Sequence, residues 1–498
     1  MEKKQHSVGE KLAEADLLKY YEIRNGELVR YHGKSESVVI PSSVTTIADS
    51  AFRANPRLKQ VTMCGAVSVI RSNAFRDCIH LESVIFSKGL HSIGDDAFRG
   101  CESLHSVELP NGVISLGKGA FRGCGMLERV DLPETLAQIG AYGFCDCTAL
   151  KEIKLPEAVQ ILHRGLFFQC TSLKRACLSD SLQAVGRYAF GGCRSLESLQ
   201  LADSVTYLGN GALSECRALK EVRVPPLVRF VGDYTFACCE SLRKVELPEG
   251  ITYVGLDSFC GCSSLEQIEL PDTLLHIGPS AFLHCKSLRH VRIPESLREM
   301  GKRAFAFCAA LEEIRIDGEL TAIEDESFLS CFALRCAVMP QTLKRIGEKA
   351  FQNCLSLTTV IFPTELELIE EAAFASCRSM TEISLPQELR KVERAAFSDC
   401  TSLKTVILPN RRFRGERAIF AGCDALKTVV LPDANRLFRV RREHWRIPAD
   451  TEVIGHTDLV RASIHAQLSD PTLEAGKRLE LELLLKGMKP GRQSGYRK

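Results

Sequence analysis

The sequence predicts a repeat solenoid, a stack of coils in which each coil covers its neighbours. The first observation is a unit of 23 residues that recurs without insertion or deletion over almost 370 residues. The second is a phenylalanine slot that runs from Phe52 to Phe420, where sixteen of seventeen positions hold Phe and Leu213 is the exception. The third is a slot with sixteen cysteines in register, from Cys78 to Cys423. A fixed period of this length indicates supersecondary units that bury a core by stacking.

One unit, residues 97–119, shows how such a coil is built. Val107 begins an alternating V-x-L segment, which is typical of a short strand. Pro110 ends that strand and starts a corner, because proline has no N–H for a ladder hydrogen bond. Phe98 is predicted to fill the widest part of the coil, and Cys101 to be a small buried apolar residue.

The I-G-x-x-A-F-x-x-C signature of this unit resembles the 23-residue, BspA-like class of leucine-rich repeats, and the resemblance covers residues 35 to 432. It implies a leucine-rich-repeat horseshoe with a parallel β-sheet on the concave side and turns or short 3₁₀ segments on the convex side. Members of the class resemble protein-interaction scaffolds, and several are surface adhesins. Because one fold serves many functions, the resemblance predicts the architecture more firmly than the function.

Four regions follow in order along the chain. Residues 1–34 are predicted to form an N-terminal cap, with helical spacing from Val8 to Tyr21 and a turn at Asn25-Gly26. Residues 35–432 form the solenoid, and residues 433–487 a helical C-terminal cap, with a helix capped by Thr457 or Asp458 that ends at Leu468 and another from residue 470 to 486. Residues 488–498 are a basic tail that we expect to be disordered.

The net charge of +2 predicts no general attraction to nucleic acid or membranes, and the chain has no run of 18 apolar residues that would insert into a membrane. The charged start of the chain lacks an apolar signal core. The register of the cysteines argues against a disulfide scaffold, because parallel side chains one strand apart are poorly placed for bridging. Buried free thiols favour a reducing compartment, so we expect a cytoplasmic protein without a metal or cofactor; the alternative is the cell surface.

A partner-binding strip is predicted on the concave sheet towards the end of the solenoid. The outward position of the V-x-L strands is polar or charged in most early coils but mostly apolar in the last five. The residues that form this strip are Val338, Ile361, Ile407 and Val430, flanked by Thr359 and Thr405. An exposed apolar strip is typical of a protein-binding surface, whereas β-branched residues also simply suit strands, and both explanations stay open.

A second candidate surface is basic and could bind an anionic ligand. Its arginines are Arg411, Arg412, Arg414, Arg436, Arg439 and Arg442. Phe413, Phe438 and Trp445 lie among them, and such interleaving suits single-stranded nucleic acid or an acidic partner. The alternative, which we favour, is a cap whose arginines lie over apolar edges.

The sequence contains no phosphate-binding loop, nucleophile elbow or zinc-protease motif. The function that we expect is therefore a non-catalytic protein-interaction scaffold of unknown partner and oligomeric state. The alternative is a cell-surface adhesin or structural protein that is exported without a recognisable signal peptide.

Overall fold

The structure is a computed structural model, and it describes residues 19–409, 413–431 and 441–469 together with Leu481 and Leu485. The chain divides into two compact units, Met1–Lys286 and Ser287–Lys498. Both consist of stacked coils of 23 residues, and most coils contribute one strand to each of two parallel ladders, which are made of several short sheets. Ladder A contains the V-x-L strands, and ladder B contains two-residue strands that precede the phenylalanine turn. Equivalent residues of neighbouring coils pair directly, as Val107 does with Val130.

The first unit begins with an antiparallel hairpin, β1 (Tyr21–Arg24) and β2 (Glu27–Tyr31). Its ladder A strands are Ser37–Ile40, Gln60–Met63, Ser83–Ile85, Ser106–Glu108, Arg129–Asp131, Glu152–Lys154, Arg175–Cys177, Glu221–Arg223, Lys244–Glu246 and Gln267–Ile268. Its ladder B strands are Thr46–Ile47, Val69–Ile70, Ser92–Ile93, Ser115–Leu116, Gln138–Ile139, Ile161–Leu162, Ala184–Val185, Tyr207–Leu208, Phe230–Val231, Tyr253–Val254 and His276–Ile277.

The second unit contains the later coils, and its described residues include the helices α1 (Arg442–Trp445) and α2 (His456–Leu468). Its ladder A strands are His290–Ile293, Glu313–Ile316, Cys336–Val338, Thr359–Ile361, Glu382–Ser384, Thr405–Ile407, Thr428–Leu431 and Glu452–Gly455. Its ladder B strands are Glu299–Met300, Ala322–Ile323, Arg345–Ile346, Leu368–Ile369, Lys391–Val392 and Arg414–Gly415.

The side of the coil opposite ladder A is more regular than the predicted turns or short 3₁₀ segments. The described residues there form turns and no 3₁₀ helix. Two residues in each turn have left-handed backbone conformation, for example Asn73 and Asp77, with φ of 55° and 59°. The N–H groups of residues 73, 75 and 77 donate to the carbonyls of residues 95, 97 and 99 at 2.7–2.8 Å. The turns therefore form a third row of hydrogen bonds between coils.

The core contains a column of stacked phenylalanine rings, as the sequence predicts. In the first unit the column runs from Phe52 to Phe190 with ring centroids 4.8–5.9 Å apart and planes within 19° of parallel. Leu213 is fully buried in the same slot and interrupts the aromatic column. In the second unit a column runs from Phe305 to Phe420 with spacings of 5.0–5.9 Å. The slot is therefore interior in every coil described.

The sixteen register cysteines are all buried, as predicted, but they are more than apolar filler. Cys101 Sγ donates a hydrogen bond of 3.2 Å to the carbonyl oxygen of Phe75, in the phenylalanine slot of the preceding coil. The same bond recurs at 3.0–3.4 Å along the stack. The slot therefore selects a side chain that is small, apolar and still able to donate a hydrogen bond.

The glycine slot after ladder B tolerates glutamate, as four coils of the second unit show. In the first unit a Cβ on Gly117 would lie 2.5 Å from the backbone nitrogen of Asp95, so coils that carry glycine approach too closely for a side chain. In the second unit Glu324 and Glu370 are half-exposed and flank Arg345, with N···O distances of 2.6 and 3.0 Å. The glutamates therefore build ion pairs along ladder B.

Different structural elements close the two ends of the stack. At the N-terminal end, positive φ at Asn25 and Gly26 makes the predicted two-residue turn, and Tyr31 stacks on Phe52 with centroids 5.2 Å apart. Most of the helix predicted from Val8 lies outside the described residues, and its last residue, Tyr21, is in a strand.

At the C-terminal end, α1 takes the place of another turn, because the carbonyls of His444 and Trp445 accept hydrogen bonds from Ala418 and Phe420. The predicted helix to Leu468 is present as α2, but Gly455 rather than Thr457 or Asp458 is its N-cap. Of the second predicted helix the structure describes only Leu481 and Leu485, both in helical conformation, and the tail lies outside the described residues.

We predict that Phe121→Ala lowers the free energy of unfolding by about 3–5 kcal/mol, because the lost ring leaves a cavity between Phe98 and Phe144. Urea titration of the full chain, followed by circular dichroism, measures this loss. Lys220→Ala is the control and should change stability by less than about 0.5 kcal/mol, since this lysine is exposed. A loss below about 1 kcal/mol for Phe121→Ala would contradict an interior stack.

Because its thiols are buried, we predict that the folded chain loses stability in alkaline solution. Burial raises the pKa of Cys331 to about 12, and it raises the pKa of Cys124 and Cys262 as well. Unfolded thiols ionise near about pH 8.5, so above that pH the unfolded chain releases protons that the folded chain keeps. The urea midpoint should therefore be insensitive to these thiols below about pH 8 and fall steadily from pH 9 to 12. Cys331→Ala should make the fall shallower, whereas Cys64→Ala, at an exposed position, should leave its slope unchanged.

Candidate partner-binding surfaces

Ladder A presents two columns of side chains to solvent in each unit, and the outward column is the one between the two apolar residues of V-x-L. Within the strand Ser106–Glu108, Val107 is buried and both of its neighbours are exposed. The alternation follows from the period of two in a strand, and the buried Leu109 continues it. The outward column is therefore free of core packing wherever nothing else covers it, which is the geometry that the predicted strip requires.

The structure brings part of the predicted apolar strip into register. Val338 pairs directly with Ile361, whereas Thr405 and Ile407 lie on a later strand of ladder A, on which Ile407 pairs with Ser384. Ile361 is 50% exposed, Thr359 is exposed, and Val338 is half-buried. Thr405 and Ile407 are half-buried as well. Val338 and Ile361 therefore form a small apolar surface beside Thr359, and the coil with Ser384 separates it from Ile407 and Thr405.

The expectation that Val430 belongs to this exposed strip is wrong. Its side chain has 0% exposure. The strand Thr428–Leu431 pairs with Glu452–Gly455, which places Val430 beside Ile454, and α2 lies against both strands. Ile464 of α2 is itself buried. The strip therefore ends at Ile407, because segments after the last repeat cover the next position.

The basic surface is only partly within the described residues, since Arg411, Arg412, Arg436 and Arg439 lie outside them. Arg414 is exposed on a ladder B strand. Arg442 has a structural role instead of the predicted anion-binding one. Its guanidinium donates to the carbonyl oxygens of Pro448, Ala449 and Thr451 at 3.4, 3.0 and 2.6 Å.

The two described aromatic residues of the basic surface are buried and do not face solvent. Phe413 and Trp445 pack edge to face with centroids 5.8 Å apart. The indole Nε1 of Trp445 donates to the carbonyl of Gly415 at 3.0 Å. Neither ring is available to stack on a nucleotide base. Where the structure describes this surface, it therefore agrees with a cap rather than with a nucleic-acid interface.

The sequence reasoning missed a groove of about 930 Å³ on ladder A of the first unit. The repeat predicts a V-x-L strand at residues 199–201, but the structure has there only an isolated bridge between Arg175 and Ser198. Small residues open the space: Ala176 and Ser179 stand where other coils have valine and proline. Those departures from the repeat were the signal that could have located the groove. Its walls carry both signs of charge, including Arg223 paired with Asp203 at 2.6 Å.

Two further properties bear on the kind of site this chain can hold. Within the described ranges, no group of three or more His, Cys, Asp or Glu side chains is placed to hold a metal ion. None of the helices that the structure describes is long and apolar enough to cross a membrane.

Comparison with known proteins identifies the repeat. The family model described as BspA type leucine rich repeat region (6 copies) matches residues 29–151, 115–243, 229–357 and 321–440. This chain is a BspA-type leucine-rich repeat protein. The matches overlap and together span nearly all of the coils, which confirms the resemblance inferred from the I-G-x-x-A-F-x-x-C signature. No protein with a curated description matches the chain significantly.

Solved structures resemble this BspA-type chain in fold. A leucine-rich repeat protein from Bacteroides ovatus is 24% identical, with 87% of this chain and 97% of that chain covered and a TM-score of 0.47. A leucine-rich repeat protein of T. pallidum is 31% identical over 36% of this chain and 88% of its own, with a TM-score of 0.34. A leucine-rich cell surface protein from Faecalibacterium prausnitzii is 20% identical, covering 86% and 93%, with a TM-score of 0.32.

We predict that Arg442→Ala destabilises this BspA-type chain by about 1–3 kcal/mol, because backbone carbonyls at the end of the stack lose a charged donor. The free energy of unfolding from urea titration is the measurement. Arg414→Ala is the matched control, and we expect it to change stability by less than about 0.5 kcal/mol. Equal effects of the two substitutions would refute the structural role of Arg442.

Proposed function

We propose that this chain is a non-catalytic protein-interaction scaffold that binds a partner protein on the ladder A face of the second unit, the face that the family resemblance places on the concave side. The observation that supports the proposal is the paired Val338 and Ile361, with Ile407 two coils further along the same column, on a ladder whose outward column is mostly polar in the first unit. Large exposed apolar groups on a rigid surface are typical of interaction sites.

The strip is too small to act alone and is better suited to the centre of a larger interface. Full burial of an isoleucine contributes about 1.5–3 kcal/mol, so the exposed half of Ile361 contributes about 1 kcal/mol. A few such residues typically lie at the centre of an interface, inside a polar rim. Thr359 and Thr405, which flank the strip, supply hydroxyl groups that can donate and accept hydrogen bonds there.

The proposal involves no catalysis and no cofactor, since the strip offers apolar and hydroxyl groups rather than a paired acid and base. We also propose a cytoplasmic location, which the many free thiols support because thiols persist in reducing compartments. Display on the cell surface is the competing proposal. Labelling of intact cells with an impermeant amine reagent separates the two, because only a displayed chain is labelled before lysis.

The double variant Val338→Lys, Ile361→Lys tests directly whether the partner binds at the strip. Both side chains have solvent access, so the thermal midpoint should stay within a few degrees of the parent, while charge at the interface centre should reduce partner capture at least tenfold. The measurement is crosslinking of the tagged chain in its own cells, followed by quantitative mass spectrometry of its partners.

The matched control combines Glu108→Lys and Asp131→Lys, which change the same column of ladder A in the first unit. We expect this variant to capture the parent's partners at parental levels. Undiminished capture by the folded Val338→Lys, Ile361→Lys protein would show that the partner binds elsewhere.

A further inference from the structure

Ladder B of the first unit carries an exposed stripe of aromatic and apolar residues. The stripe consists of the outward residues of six successive strands: Ile161, Ala184, Tyr207, Phe230, Tyr253 and His276. Ile161, Tyr207, Phe230 and Tyr253 are 46%, 39%, 37% and 37% exposed. The inward residue of each strand, such as Leu208 or Val231, is fully buried and supplies the core. The rings are thus additional to what the coil needs for its stability.

The rings of the stripe form two notches rather than a flat platform. Tyr207 and Phe230 meet nearly edge to face, with centroids 6.1 Å apart and planes at 71°. Tyr253 and His276 meet at 6.5 Å and 50°. The second pair follows the first by two coils, and two strand spacings correspond to about 9.6 Å. The stripe therefore repeats an aromatic notch at about that distance along the stack.

This repeat matches a polyproline II helix, which advances about 9.3 Å per turn of three residues. We propose that the stripe binds a proline-rich segment in this conformation, running along the stack with prolines three residues apart in the two notches. A polyproline II backbone has no internal hydrogen bonds, so its carbonyls can accept from the hydroxyls of Tyr207 and Tyr253. Recognition of prolines in aromatic-lined grooves is a general mode of peptide binding.

The charge beside the stripe indicates that the segment carries lysine or arginine. In each coil the corner residue four positions before the stripe is exposed, and five of the six corners are acidic: Glu157, Asp180, Asp203, Glu249 and Asp272. Arg229 adds a positive charge beside Phe230, and Asp203 pairs with Arg223 of ladder A. The row remains acidic on balance and runs parallel to the stripe.

The size of the stripe favours a peptide over a folded partner. An aromatic side chain has about 150–250 Å² of surface, so rings that are less than two-fifths exposed offer under about 100 Å² each. The six positions, two of which are the aliphatic Ile161 and Ala184, therefore provide less than about 600 Å² together. A stable interface between folded proteins needs about 800 Å² from each partner.

The test is fluorescence anisotropy of the full chain with two labelled peptides of one composition. One has proline at every third position between paired lysines, and the other has the same prolines gathered in one block. We expect the spaced peptide to bind at least tenfold more tightly. Tyr207→Ala with Tyr253→Ala should weaken its binding at least tenfold, and Tyr207→Phe with Tyr253→Phe about threefold. Ile114→Ala, 53% exposed just before the ladder B strand Ser115–Leu116 and outside the stripe, should leave it unchanged.

Three results would overturn the proposal. The first is equal binding of both peptides, or binding that both tyrosine variants leave intact. The second is a dimer, seen by sedimentation, that the tyrosine variants dissociate, since the stripe would then bind a second copy of the chain. The third is binding of a soluble β-glucan that the same variants abolish. Val338→Lys with Ile361→Lys should not affect the peptide, so this test is independent of the proposed scaffold surface.

Discussion

Pairing of every coil with an equivalent coil 23 residues away is the constraint on which the rest of this structure depends. Ladder A and ladder B connect residues 23 apart, as Val107 with Val130 and Ser115 with Gln138, and the row of turn hydrogen bonds connects residues 22 apart, as Phe98 with Ala120. One inserted residue would misalign all three rows at once, and in a strand it would also turn inward side chains outward. The constraint explains why the period is unbroken while the outward positions vary freely.

Much of the coil could be predicted because its apolar positions repeat. The phenylalanine and cysteine slots, the V-x-L strands and the turn at Asn25-Gly26 all follow from residue type and spacing. The third row of hydrogen bonds could not be predicted, because its left-handed positions hold residues as different as Asn73, Tyr142 and Ala372. The hydrogen bonds of the thiols could not be predicted either, because the sequence shows a cysteine at the repeat position but not whether its thiol donates a hydrogen bond.

The candidate surfaces could likewise be predicted only in part from the sequence. The outward orientation of Ile361 follows from strand alternation, but the burial of Val430 depends on α2, a tertiary contact that no periodicity reveals. The aromatic stripe was missed because the outward column of ladder B has no fixed residue type. That column carries Tyr207 and Phe230 in the first unit, whereas in the second it carries Arg345 paired with glutamates. The same backbone position therefore supports a salt-bridge row in one unit and an aromatic surface in the other, so the stripe is not a consequence of the fold.

The interruption at Leu213 bears on how the first unit loses its structure. In a linear array, stability is the sum of what each coil contributes and how strongly it couples to the next. Around residues 198–213 two couplings are reduced together, because Leu213 breaks the ring column and ladder A has only a bridge at Ser198. We expect coupling between neighbouring coils to be reduced at this point, so that the coils on either side can open as separate blocks. The groove occupies the same place, so a ligand bound there would join the two blocks and restore cooperative unfolding of the unit.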